Sequence, residues 1–233
     1  MKTVKNTKGW SAKEENKPQV NKGVSKVHNL IIVDESGSMR ILYNAALTGM
    51  NRTIQSIVRQ AKECPGQEQE VTLVTFDSNY YNTIFDSTPA LKTRQITRED
   101  YRPNGATPLY DAMGKAINDL RPKVKENEAV LVTVITDGME NASCEFTLAD
   151  IKALVEKLDS EGWLFSYIGA NQDAEAVGDS MGIKDNLNYD ANEDSMAIMW
   201  DDMMQARDEF IVRSREQSFK PTEFQRGSFF KKK

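Results

Sequence analysis

Along the chain, short apolar runs alternate with stretches of helical spacing. Residues 27–33 end in Leu30-Ile31-Ile32-Val33 and predict a buried strand. From 40 to 62, Leu42, Ala46, Met50, Ile54, Ile57 and Val58 recur on one helical face, and Cys64-Pro65-Gly66 ends the pattern. Residues 71–76 predict a second strand, and 79–85 a third that pairs with it across Asp77-Ser78-Asn79. The stretch 87–104 shows no period and reads as irregular, anchored by Leu91, Ile96 and Tyr101. A helix follows over 108–120, with Pro108 in the first turn, where its missing N–H costs nothing. Residues 129–136 form a near-continuous apolar run, the pattern of a parallel strand covered on both faces. Thr147 with Asp150 marks the start of a helix over 147–158, an acidic relative of the capping box. A strand at 163–168, a short helix at 173–181, an edge strand at 186–189 and a final amphipathic helix at 194–214 complete the series.

This order predicts an α/β fold: a doubly wound, mostly parallel, Rossmann-like open sheet with one antiparallel edge strand and helices on both faces. At 233 residues the chain has room for one sizeable core. The expected division is a basic N-terminal tail (1–26), one domain (27–214) and a basic C-terminal tail (215–233). Hydrophobic residues make up 39% and charged residues 28%, ordinary for a water-soluble domain. No run reaches the roughly 18 consecutive apolar residues that a membrane span needs. Two cysteines, Cys64 and Cys144, lack the spacing of a disulfide framework or zinc site and read as ordinary, partly buried thiols. Together these features predict a cytoplasmic protein with no membrane partner.

Charge is unevenly distributed. Residues 1–26 hold seven Lys against two Glu, and 215–233 hold six basic against two acidic residues. With a net charge of −5 overall, the body at 27–214 therefore carries −14. An acidic body argues against nucleic-acid binding by the domain.

The chemistry lies at strand ends. Asp34-Glu35-Ser36-Gly37-Ser38 follows the first apolar run and delivers a carboxylate and two hydroxyls to one place. Gly105-Ala106-Thr107-Pro108 and Thr136-Asp137-Gly138 supply a further hydroxyl and a further carboxylate. Taken singly, such residues are helix caps or turn formers. Together they form a set of hard oxygen donors that suits Mg²⁺, Mn²⁺ or Ca²⁺ rather than zinc or copper. Ligands of open α/β sheets bind outside the carboxyl ends of the strands, where Asp34 and Asp137 both fall.

On these residues the chain resembles the von Willebrand factor type A (VWA) domain family, which includes the integrin inserted domains. The hallmark of that family is a metal-ion-dependent adhesion site built from Asp-x-Ser-x-Ser, a distant Thr and a distant Asp. Asp34, Ser36 and Ser38 match the first element, Thr107 the second and Asp137 the third. The resemblance covers residues 27–214 and points to an intracellular prokaryotic or phage-type member. It implies a divalent cation, Mg²⁺ first, ligated directly by Ser36 and Ser38 and joined by Thr107 when ligand binds. Asp34 and Asp137 would act mostly through water. It also implies that a Glu or Asp of a partner protein completes the shell. Intracellular prokaryotic relatives act as adaptors in multi-protein machines, beside AAA+ ATPases among others.

The function expected from this is a non-enzymatic, metal-dependent protein-binding module. Alternatives are a structural subunit with a stabilising ion, or a metal-dependent hydrolase. The last lacks support, because no nucleotide-binding or hydrolase loop is present and the only histidine, His28, falls at the start of the first strand. Glu35 is read as facing solvent. Tyr80, Tyr81 and Tyr101 are read either as a rim that supplies specificity or, more simply, as packing, and Met196, Met199, Trp200, Met203 and Met204 as core packing.

Overall fold

A near-continuous apolar strand must be covered on both faces, and β1 (Lys26–Asp34) shows how the chain achieves it. In this computed structural model, which describes residues 23–170, 173–223 and 229–230, Leu30 and Ile32 point into one core cluster and Ile31 and Val33 into another. The remaining elements are α1 (Tyr43–Glu63), β2 (Glu68–Phe76), β3 (Tyr81–Pro89), α2 (Leu109–Leu120), β4 (Glu128–Thr136), α3 (Leu148–Ser160), β5 (Leu164–Ala170), α4 (Ala174–Ser180), β6 (Asp185–Tyr189) and α5 (Glu193–Ser214). Residues 1–22 of the expected N-terminal tail, and 224–228 and 231–233 of the C-terminal one, lie outside the described residues.

The strands run in the order β3-β2-β1-β4-β5-β6, all parallel except β3, which is antiparallel to β2 at one edge. This is the predicted Rossmann-like architecture. The chain leaves β1 toward β2 on one side and returns to place β4 on the other, so the switch in strand order falls between β1 and β4. α2 and α3 cover one face with Leu109, Met113, Ile117, Ile151 and Val155. α1 and α5 cover the other with Met50, Ile54, Met196, Met199, Trp200 and Met203, so the Met-rich stripe of α5 packs in the core as its spacing suggested.

Two elements depart from the sequence reading. Residues Gly37–Leu42 form a 3₁₀ turn before α1 begins at Tyr43. Met39 and Leu42 are both fully buried there, and their three-residue spacing stacks them on one side of a 3₁₀ turn. β3 runs to Pro89, through residues expected to be irregular. The register slips against β2 near Val71 and Leu73, and Ser87 adopts a positive φ of 42° there. The bulge interrupts the alternation by which a strand is recognised. Near the C-terminus, Phe229 is buried in a third cluster with Leu131, Leu164 and Phe210, and its N–H donates to Asp185 Oδ1 at 2.7 Å.

The contact between α1 and α5 depends on Gly49. A Cβ there would overlap the indole ring of Trp200, which is buried on all sides. Gly49→Ala should therefore force α5 outward and lower stability by about 1–3 kcal/mol, the usual range for overpacking. A urea unfolding midpoint equal to wild type would show that this contact is not the tight one described.

Candidate metal centre

β1 and β4 pair so that Val33 faces Ile135, which brings the carboxyl ends of both strands side by side. There the Thr136 hydroxyl donates to Asp34 Oδ2 at 2.5 Å, and the Ser36 N–H donates to Asp34 Oδ1 at 2.7 Å. Ser36 Oγ and Ser38 Oγ lie 3.1 Å apart, and Ser38 Oγ donates to Asp137 Oδ1 at 2.6 Å. Thr107 arrives from the loop before α2. A methyl group placed on Gly138 would sit 3.1 Å from Thr107 Oγ1, 3.7 Å from Ser38 Oγ and 3.8 Å from Asp34 Oδ2. The five residues singled out in the sequence thus form one cluster, three of them about Gly138, with Ser36 and Asp137 each against Ser38 Oγ.

Backbone hydrogen bonds hold the three loops to one another. Gly37 N–H donates to Gly105 O at 3.0 Å and Asn104 N–H to Glu35 O at 2.8 Å. Thr107 is clamped on both sides by Asn141, whose Oδ1 accepts from Thr107 N–H (2.9 Å) and whose N–H donates to Thr107 O (3.1 Å). Gly105 sits at a φ of +66°, and a Cβ there would meet Ser78 Oγ at 2.6 Å, so only glycine fits this close crossing.

Electrostatically the site is acidic. Asp34 is fully buried, and loss of solvation pushes its carboxyl up to about 6, despite bonds from Thr136 and Ser36. Burial also raises the carboxyls of Glu35 and Asp137. Among the described residues, neither Asp34 nor Asp137 has a Lys, Arg or His within ion-pair distance, since the ion pairs present all involve other acids.

Helix capping does not account for the hydroxyls. Ser36 precedes the 3₁₀ turn without capping it, and α1 and α2 start with no side-chain cap from their N-cap residues. The first N–H groups of α2 are met instead by Glu140 and Ser143 from the loop after β4. Away from the site, α3, α4 and α5 are capped by Thr147, Asp173 and Asn192. No group of three or more His, Cys, Asp or Glu is gathered for a metal among the described residues. The donors are two carboxylates and three hydroxyls, a set that fits a hard cation.

Several sequence readings need correction. Glu35 is buried at 6% exposure and accepts from the Arg102 N–H, because the 35–38 turn is folded under the 102–105 loop. Tyr101 is fully buried against Tyr43 and donates to Asp34 O at 2.9 Å, so it supports the site from below. Of the other two tyrosines read as rim or packing, Tyr80 is 70% exposed and Tyr81 is half-buried. Cys144 is exposed, and Cys64 is partly buried. His28 lies at the amino end of β1 between Glu70 and Glu128, at 3.3 and 2.8 Å. Thr136, Asn141 and Tyr101 were not anticipated as supports. Only Thr136 carried a signal, as a hydroxyl at the end of an apolar strand beside Asp137.

The sequence matches the von Willebrand factor type A domain family over residues 30–199, and the chain belongs to that family. No curated protein matches it. Among solved structures it is similar to the PilB minor pilin from Streptococcus sanguinis, at a TM-score of 0.58 and 12% identity, covering 81% of this chain and 63% of that one. It is also similar to the pilus adhesin SpaC from Lactobacillus rhamnosus GG, at 0.62 and 15%, covering 84% of this chain and 31% of SpaC. A third is the vWF domain of the type V pili tip protein Mfa5 from Porphyromonas gingivalis, at 0.57 and 11%, covering 81% and 97%. At these identities the likeness is one of fold.

Thr136→Val tests the frame of the site. It removes the hydroxyl that donates to Asp34 and accepts the Gly138 N–H at 3.0 Å. Leaving a buried carboxylate oxygen unsatisfied should cost about 1–3 kcal/mol, measured by thermal or urea unfolding without divalent ions. Unchanged stability would mean that the Thr136–Asp34 bond carries no weight.

Proposed function

We infer that this domain is a divalent-cation-dependent protein-binding module with no catalytic role. The observation that carries the reading is the clustering of Asp34, Ser36, Ser38, Thr107 and Asp137, with Ser38 exposed and no basic side chain paired to either Asp among the described residues. Ser36, Ser38 and Thr107 are the direct ligands, while Asp34 and Asp137 orient them and balance charge. Mg²⁺ is the first choice of ion, Mn²⁺ and Ca²⁺ being chemically close. When bound, the cation keeps much of its charge among neutral hydroxyls and supplies a position that accepts a carboxylate.

The chain's own residues set the terms of that recognition. Asp34 lies at the floor, fully buried, and Ser38 is exposed at the mouth. Only a side chain reaching in from solvent has access, which suits the Glu or Asp of a partner protein. Domains of this family commonly mediate protein–protein interaction, and the pilus proteins above share the fold. No histidine stands near as a base, because His28 is held between glutamates at the other end of β1. Free Cys64 and Cys144 support a reducing, cytoplasmic setting.

Metal addition and removal test this directly. Millimolar Mg²⁺ should raise the melting temperature by several degrees, since about 2.7 kcal/mol is gained at a hundredfold excess over Kd, and EDTA should reverse it. Thr107→Ala and Asp137→Ala should each weaken Mg²⁺ or Mn²⁺ binding about tenfold or more in titration calorimetry, as loss of ligands and their supports does at other metal sites. Affinity capture in Mg²⁺, in EDTA and with Thr107→Ala then separates a binding module from a structural subunit. A partner kept only in the first supports the module. An ion-dependent melting shift with identical capture in all three overturns it.

A further inference from the structure

The rim of the site carries positive charge that forms no ion pair within the protein. The body at 27–214 has a net charge of −14, yet three arginines gather around the loop that presents Ser36 and Ser38. Arg40 donates from Nε to Pro103 O at 3.0 Å and from Nη2 to Asn104 Oδ1 at 2.9 Å. The Arg98 guanidinium lies 5.9 Å from the ring centre of Tyr43, at the start of α1. Arg102 is tied through its backbone to Glu35, and its charge also acts on that carboxylate, without an ion-pair contact. All three side chains are exposed. The arginines that form carboxylate pairs among the described residues are Arg52, Arg59, Arg94 and Arg121; Arg40, Arg98 and Arg102 form none.

Of the three, Arg40 is placed to meet a ligand of the site. It follows Ser38 by two residues, and its anchors Pro103 and Asn104 immediately precede the Gly105-Ala106-Thr107 loop. Both anchors are neutral, so they fix the guanidinium without cancelling its charge. They engage two of its five N–H groups and leave three without a partner among the described residues. A guanidinium whose orientation is already set loses little freedom on binding, and its planar fork matches a carboxylate.

We propose that the ligand of this site is an extended acidic segment of a partner protein with two carboxylates close together in sequence, one for the cation and one for Arg40. Arg98 and Arg102 add attraction that draws the segment in. This inference rests on the cation-dependent reading above. Nucleic acid is the other polyanion that arginines bind, but the acidic body repels a phosphate backbone, and the recessed donors favour a single projecting carboxylate.

The test is a selection of random peptides displayed on phage against the full chain in Mg²⁺, with a parallel selection in EDTA. The expected winners carry two Asp or Glu at a fixed spacing and vanish in EDTA. In fluorescence anisotropy, Arg40→Gln should weaken the selected peptide about tenfold, the usual scale for losing one charge-assisted pair. It should have less than about twofold effect on the same peptide with its second acid changed to Gln, as a coupling cycle requires. Arg40→Lys should restore part of the loss, since charge returns without the fork. Mg²⁺-dependent peptides with one acid, indifferent to Arg40→Gln, overturn the inference and leave the cation-dependent reading standing. Absence of any Mg²⁺-dependent peptide overturns both. Single-stranded DNA that binds without Mg²⁺ and is weakened equally by Arg40→Gln would assign the arginines to phosphate and overturn the inference as well.

Discussion

A carboxylate buried with no cationic side chain beside it is the constraint around which the rest of this molecule is arranged. Asp34 has no solvent exposure, and two hydrogen bonds from Ser36 and Thr136 do not restore what burial removes, since its carboxyl still rises to about 6. Taking an ionised carboxylate out of water costs several kcal/mol unless a charge or a full set of donors compensates. The surrounding groups are hydroxyls and backbone N–H groups, and the charged neighbour that acts on Asp34 is Asp137, which adds to the strain. Burial and the Asp137 charge thus act in the same direction on Asp34, and the hydrogen bonds from Thr136 and Ser36 oppose them only in part.

The sheet explains why the strain falls where it does. β1 is central, with β2 on one side and β4 on the other, and its residues are buried on both faces. Its backbone is hydrogen-bonded on both sides, and Asp34 at its end inherits that placement. β4 lies in register beside it as far as Ile135, which brings Thr136, at the end of β4, and Asp137, just beyond it, to the same end of the sheet. Thr107 comes from a loop rather than a strand, and there the needed precision is supplied by the paired bonds with Asn141 and by the turn at Gly105. Strands locate the carboxylates and hydrogen-bonded loops locate the last hydroxyl.

Much of this was legible in the sequence, for identifiable reasons. A strand buried on both faces is an unbroken apolar run, and β1 and β4 announce themselves that way. Donors at the ends of such runs share one edge of the sheet by topology, so the residue pattern alone puts Asp34 and Asp137 together. What stayed hidden depends on contacts between segments distant in sequence. Glu35 reads as a solvated turn residue, and only the 102–105 loop folding over it buries it. Tyr101 reads as an anchor of the irregular stretch, but nothing in the sequence shows that its hydroxyl meets Asp34 O. The extension of β3 was masked because a bulge breaks the period of two on which strand recognition rests.

Ser and Thr before a helix have two uses in this chain, and geometry separates them. At α3 the Thr147 hydroxyl accepts the N–H of Asp150 in a full capping box, the ordinary use. At the site, Ser36 and Ser38 turn toward each other and Ser38 toward Asp137, and the starts of α1 and α2 go without caps from their own N-cap residues. Forgoing a cap costs about 1 kcal/mol per helix, and α2 recovers it only by drawing in Glu140 and Ser143 from the loop after β4. That substitution ties the position of α2 to the same loop that carries Asp137 and clamps Thr107.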